Sequence, residues 1–113
     1  MPDDCLFCRI VRGEIPVTPI GENPHAIAFR DINPQAPVHV LVVPKRHVAS
    51  LAEATDALEL GSVALLAAEV ARGEGLEPGG YRTVINTGAD AGQTVLHLHL
   101  HLLGGRRMGW PPG

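Results

Sequence analysis

Between Thr94 and Leu103 the chain reads Thr-Val-Leu-His-Leu-His-Leu-His-Leu-Leu, and histidine alternates with leucine without a break from Leu96 to Leu102. A strand sends successive side chains to opposite faces. Period two therefore puts His97, His99 and His101 on one face and Leu96, Leu98, Leu100 and Leu102 on the other, in the core. A helix cannot sort them this way, because residues two apart on a helix do not share a face. The pattern predicts a strand over 94–103 that carries a row of three imidazoles.

The flanking sequence supplies partners for it. Val38–Val43 is rich in β-branched residues and stops at Pro44, which predicts a strand with His39 opposite Val38 and Val40. Residues 25–30 predict another, with Ile27 and Phe29 sharing a face, and Tyr81–Asn86 a further one. Turn chemistry fills 31–34 and 87–93, and a Gly/Pro-rich loop runs from Gly73 to Gly80. Residues 50–72 predict the main helix, capped by Ser50 or Thr55, and residues 5–12 a short helix closed by Gly13 and Pro16. Gly104 to Gly113 reads as an irregular tail. From Leu58 to Val70 the main helix is apolar nearly all round, so a sheet on one side leaves a face to cover. A second copy of the chain is the expected cover, giving a homodimer; the alternative is an Ala-rich helix that exposes small apolar residues. Strands in pairs on either side of one helix predict an α+β fold. The expectation is an antiparallel sheet of about five strands with one main helix and a short N-terminal helix, in one domain over 1–113.

Composition narrows the function classes. A chain of 113 residues with 45% hydrophobic and 19% charged residues can bury one core and is not disordered throughout. Nine Lys+Arg against twelve Asp+Glu give a net charge of −3, which argues against gripping nucleic acid by bulk charge. No apolar run approaches the ~20 residues of a membrane span, and Met1-Pro2-Asp3-Asp4 is too acidic for a secretory signal. A cytoplasmic protein is expected. Cys5 and Cys8 are spaced poorly for a structural disulfide and read as a metal site or a redox pair. The redox reading needs a strand before the motif, and none precedes Cys5.

Three readings of the histidine row compete: a solvated face, a metal site and a catalytic site. Neighbours on one strand face lie ~6.5–7 Å apart, too far for all three to meet one ion easily. The preceding turn favours catalysis. Gly88, Gly92, Gln93 and Thr94 offer backbone amides and small polar groups, and Asn86 can add a donor. Such a turn leading into His97, His99 and His101 describes a phosphate pocket with a nucleophile in it.

His97-Leu-His99-Leu-His101-Leu-Leu resembles the signature of the histidine-triad (HIT) superfamily, His-φ-His-φ-His-φ-φ with φ apolar. Phe7–Pro16, Asp31–His39, Pro44-Lys-Arg-His47 and Gly92-Gln-Thr94 match the family as well, and the tail Leu103–Gly113 resembles its Hint-like branch. The resemblance implies the HIT-like fold and a purine nucleoside phosphoramidase, which releases nucleoside monophosphate through a nucleotidyl-histidine intermediate on His99. It implies that His101 contacts phosphate and assists the leaving group, and that His39 sits beside the triad, of which His97 is the first member. Asn86, Gln93 and Thr94 would bind phosphate, and Asp31 the ribose. Leu6, Phe7, Ile10, Phe29 and Ile32 would line the purine slot; plain core packing is the alternative for these five. It further implies a structural zinc on Cys5, Cys8, His47 and His97, with none needed for catalysis. Two reduced thiols beside a metal-free triad are the alternative. A dinucleoside polyphosphate hydrolase, or a nucleotide-binding scaffold with incidental hydrolysis, are the competing functions.

Overall fold

The β-branched run Val38–Pro44 forms the central strand of a five-stranded antiparallel sheet. In this computed structural model, which describes residues 2–113, the strands are β1 (Gly21–Glu22), β2 (Ala26–Arg30), β3 (Val38–Pro44), β4 (Tyr81–Ile85) and β5 (Leu100–Gly104), in the order β1-β2-β3-β5-β4. Helix α1 spans Leu6–Val11 and helix α2 Ala57–Gly73. The α+β architecture read from the sequence is the one observed.

Strand alternation gives the sheet two apolar faces. On one, Ala26, Ala28, Val40, Val42, Leu100 and Leu102 pack against Val63, Leu66, Ala67 and Val70 of α2. Leu66 and Leu102 are almost wholly buried, which stabilises the fold by about 1.5–3 kcal/mol each. On the other face Ile27, Phe29, Leu41 and Val43 meet Phe7 and Ile10 of α1. A six-residue helix is far too short to form alone, so α1 exists through what it docks against.

The structure corrects several local expectations. The last strand covers Leu100–Gly104, not 94–103, so Gly104 belongs to the sheet rather than to the tail. Residues 94–99 run beside the sheet, held by a Leu98 N–H to Val48 carbonyl bond of 2.7 Å, and Leu96 is exposed instead of buried in the core. The expected helix over 50–72 is interrupted. Leu51–Glu53 make a single 3-10 turn, Ala54 is extended, and α2 begins only after Asp56. Asp56, not Ser50 or Thr55, caps α2, its carboxylate accepting from the N–H groups of Leu58 at 2.9 Å and Glu59 at 3.2 Å. β1 was not legible, and β2 starts at Ala26 rather than His25.

Candidate active site and metal centre

Each histidine of the row has a different partner: a backbone carbonyl for His97 and another for His99, and a neighbouring imidazole for His101. His97, fully buried, places Nε2 2.8 Å from the carbonyl of Pro44 at the end of β3. A carbonyl only accepts, so Nε2 carries the proton and Nδ1 keeps its lone pair. His99 shows the opposite arrangement: its Nδ1 donates to the carbonyl of His97 at 2.8 Å, which leaves the Nε2 lone pair available. His101 lies within β5, paired across to Leu41 of β3 and Val84 of β4.

His39 of β3 completes a relay. The N–H of Gln35 donates to His39 Nδ1 at 3.0 Å, so neutral His39 carries its proton on Nε2. That N–H donates to His101 Nδ1 at 2.9 Å, with Asp31 Oδ2 3.5 Å away. His101 is thereby left with its proton on Nε2. Burial chiefly, then repulsion by His99 and His39, pushes the His101 imidazolium down to about 4, so the ring is neutral near pH 7. Burial likewise lowers His97. The Phe7 ring edge packs on both His97 and His99, with centroids 5.8 and 5.1 Å away.

The lone pair of His97 Nδ1 faces two thiols, Cys5 Sγ at 3.4 Å and Cys8 Sγ at 3.5 Å, and His47 Nδ1 lies 3.3 Å from Cys8 Sγ. The donor atoms of Cys5, Cys8, His47 and His97 all fall within 4.8 Å of one another. A tetrahedron built on metal–ligand bonds of about 2.0–2.3 Å has edges of about 3.3–3.8 Å, so these separations fit a four-coordinate Cys₂His₂ ion. Burial first, then the neighbouring Cys5, pushes the Cys8 thiol up to about 11, so a bound cation is what would favour its thiolate. Cys5 caps α1, and Cys8 follows one turn later. Asp31, His39 and His101 are a second set within 4.8 Å, but their contact is the shared proton described above.

The remaining candidates divide. Thr94 is exposed and lines a hollow of about 500 Å³ with Cys5, Leu6, His47, Val95 and Leu96. Asn86 is half-buried immediately after β4. Gln93 is buried and fully engaged by backbone. Its Nε2 donates to the carbonyls of Ala49 and Val95, and its Oε1 accepts from the N–H of Gly88. It latches the turn with both Nε2 hydrogens, which leaves only the second lone pair of Oε1 without a partner. Phe7, Ile10 and Phe29 lie in the apolar cluster under α1, whereas Leu6 is partly and Ile32 wholly exposed. Asp31 uses Oδ1 to accept from the N–H of Asn33 at 2.8 Å, closing the turn after β2. Sequence reasoning missed Gln35 and the carbonyl of Pro44. Both act through the backbone, so residue identity carried no signal for them.

A family model described as HIT domain matches residues 12–108. An uncharacterized HIT-like protein of Synechococcus elongatus is 53% identical over 115 residues, covering 100% of both chains. The 14 kDa zinc-binding protein of Zea mays is 50% identical over 112 residues, covering 96% of this chain and 87% of that one. Among solved structures, a HIT family hydrolase of Legionella pneumophila is similar with a TM-score of 0.93 and 49% identity, covering 97% of this chain and 100% of that one.

Proposed function

This chain belongs to the HIT domain family, and from that membership we propose that it is a nucleotide-binding hydrolase of the Hint-like branch. Its substrates would be purine nucleoside 5′-phosphoramidates, cleaved at the phosphorus–nitrogen bond. The observation that carries the reading is the His99 Nδ1–H bond to the His97 carbonyl, which aims an unprotonated Nε2 out of a rigid ring. A neutral imidazole is a competent nucleophile at pH 7.

In this reading His99 Nε2 attacks the α-phosphorus and the P–N electron pair leaves with the amine, giving a nucleotidyl-His99 intermediate. The amine takes a proton from solvent as it departs. His101, neutral and protonated on Nε2, donates a hydrogen bond to the phosphoryl group and the departing nitrogen. Water then attacks phosphorus, His99 returns to its neutral form, the nucleoside monophosphate leaves and a proton goes back to solvent. Asn86, Thr94 and the turn amides would hold the phosphate, with Gln93 fixing the turn. Asp31 would accept from the ribose, and the slot beside Leu6, Phe7, Ile10, Phe29 and Ile32 would take the purine. Cys5, Cys8, His47 and His97 would hold zinc in a structural role, tying α1 to the sheet. The reading extends to a homodimer: α2 exposes Leu58 and Leu65, one heptad apart on its outer face, and β4 is an edge strand.

A side-by-side assay tests it. Release of AMP from an adenosine 5′-phosphoramidate, abolished by His99→Ala with nucleotide binding retained, is the expected result. Preference for a diadenosine polyphosphate would move the chain to the dinucleotide hydrolases. No turnover of either would leave a nucleotide-binding protein.

A further inference from the structure

The relay that orients His101 does not end at His39. The N–H of Gln35 holds His39 Nδ1, and the carbonyl of the same residue accepts from Arg106 Nη2 at 3.0 Å. The Gln35 side chain is tied as well, its Nε2 donating to the carbonyl of Asn33 at 3.0 Å. Arg106 reaches this loop because Gly105 approaches it closely. Gly105 has φ +89, and a Cβ there would stand 2.9 Å from Pro37 Cβ. Gly105 directly follows β5, the strand that carries His101. The hydrogen bonds therefore close a circuit: His101, His39, Gln35, Arg106, and back along β5 to His101.

We propose that Arg106 is a positioning residue for the HIT site, pinning the Gln35 backbone so that its N–H fixes the tautomers of His39 and His101 together. The coupling follows from the donor count. If the Gln35 N–H leaves His39 Nδ1, His39 is able to carry its proton on Nδ1 and accept at Nε2. His101 then donates from Nδ1, and its Nε2 becomes an acceptor that offers the phosphoryl group and leaving nitrogen no hydrogen bond. One backbone N–H thus decides the polarity of two rings. Asp31 Oδ2, 3.5 Å from His39 Nε2, favours the same tautomer, so loss of Arg106 mixes the two arrangements rather than inverting them.

The kinetic part of this inference rests on the phosphoramidase reading; the tautomer part does not. The first measurement is therefore the ring ¹⁵N spectrum of His39 and His101 in the full chain, for wild type, Arg106→Ala, Arg106→Lys and Arg107→Ala, each checked for folding by circular dichroism. Arg107→Ala removes the same charge one residue away. Wild type, Arg106→Lys and Arg107→Ala should show both rings protonated on Nε2, and Arg106→Ala should show a mixture. Unchanged rings in a folded Arg106→Ala, or the same mixture in Arg107→Ala, would overturn the proposal. The second measurement is the dependence on leaving group. Arg106→Ala should lower kcat by about tenfold for an alkylamine phosphoramidate of AMP, where donor assistance matters, and by less than about twofold for its p-nitrophenyl ester. KM should hold, and Arg106→Lys should restore the rate. Equal losses on both substrates would mark a general structural defect and defeat the proposal. A wild type inert towards phosphoramidates would sink the functional reading alone, because the spectra still decide the role of Arg106.

Discussion

Gly104 sits in β5 between Val38 and Tyr81, on the face that looks towards α2, and Leu76 closes over it. A Cβ added there would stand 2.7 and 2.8 Å from the two Leu76 methyl carbons and 3.2 Å from Cγ. Carbon atoms are at their optimum near 3.5–4.0 Å, so the two methyl contacts are each short by about 1 Å. Leu76 has little room to retreat: its side chain is buried in the core cluster, and its backbone is held by an N–H to Ala71 carbonyl bond of 2.9 Å and a Gly80 N–H to Leu76 carbonyl bond of 2.8 Å. Gly104→Ala should cost about 1–3 kcal/mol by overpacking. Leu76→Ala, which empties a buried site, should cost about 2–5 kcal/mol. Together the two should cost less than their sum by about 1 kcal/mol or more, because the new methyl enters space the leucine vacated. Urea unfolding followed by far-ultraviolet circular dichroism, at fixed protein concentration in case the chain self-associates, measures all three. A neutral Gly104→Ala, or costs that add within about 0.5 kcal/mol, would refute the steric argument.

Acid should weaken the fold through His101. Its imidazolium is pushed from 6.5 down to about 4, so between those values the unfolded chain binds more protons; the ring's contribution is complete above about 6.5 and is lost as pH falls towards 4. His101→Asn should flatten that part of the slope of urea midpoint against pH, and an unaltered slope would count against it. Asp56→Ala should cost about 1 kcal/mol and Asp56→Ser little, read from thermal midpoints; equal effects would mean that the cap bonds do not matter. Stripping metal with a chelator should lower the melting temperature and open α1 to trypsin at Arg9 and Arg12, and Cys8→Ser should do the same. Cleavage unchanged after verified metal loss would remove the metal from any role in holding α1.

What the sequence showed and what it hid follow one division. Side-chain patterns were legible: the β-branched run of β3, the faces of Ile27 and Phe29, and the pairing of Cys5 with Cys8, to which the family resemblance added His47 and His97. Backbone geometry was not. Alternation from Leu96 to Leu102 says which way side chains point in an extended chain but does not say whether a neighbouring strand completes the ladder, and residues 94–99 have none. Ser50, Thr55 and Asp56 all fit a cap by residue type, and only the 3-10 turn at Leu51–Glu53 decides among them. β1 is two residues long, and Gly21–Glu22 pairs with β2 through the tertiary fold alone.

The same division explains how neighbouring imidazoles come to do different things. Three backbone groups assign the protons. Pro44 takes Nε2–H of His97 and so turns its Nδ1 to the thiols; the His97 carbonyl takes Nδ1–H of His99 and so leaves Nε2 bare; the Gln35 amide fills Nδ1 of His39 and so gives His101 a donating Nε2–H. His97 stands in both systems, with its ring among the thiols and its carbonyl on His99. Whatever holds its ring therefore also sets the acceptor that orients the neighbouring ring. The Cys₂His₂ cluster and the proposed nucleophile, His99, are joined through this one residue.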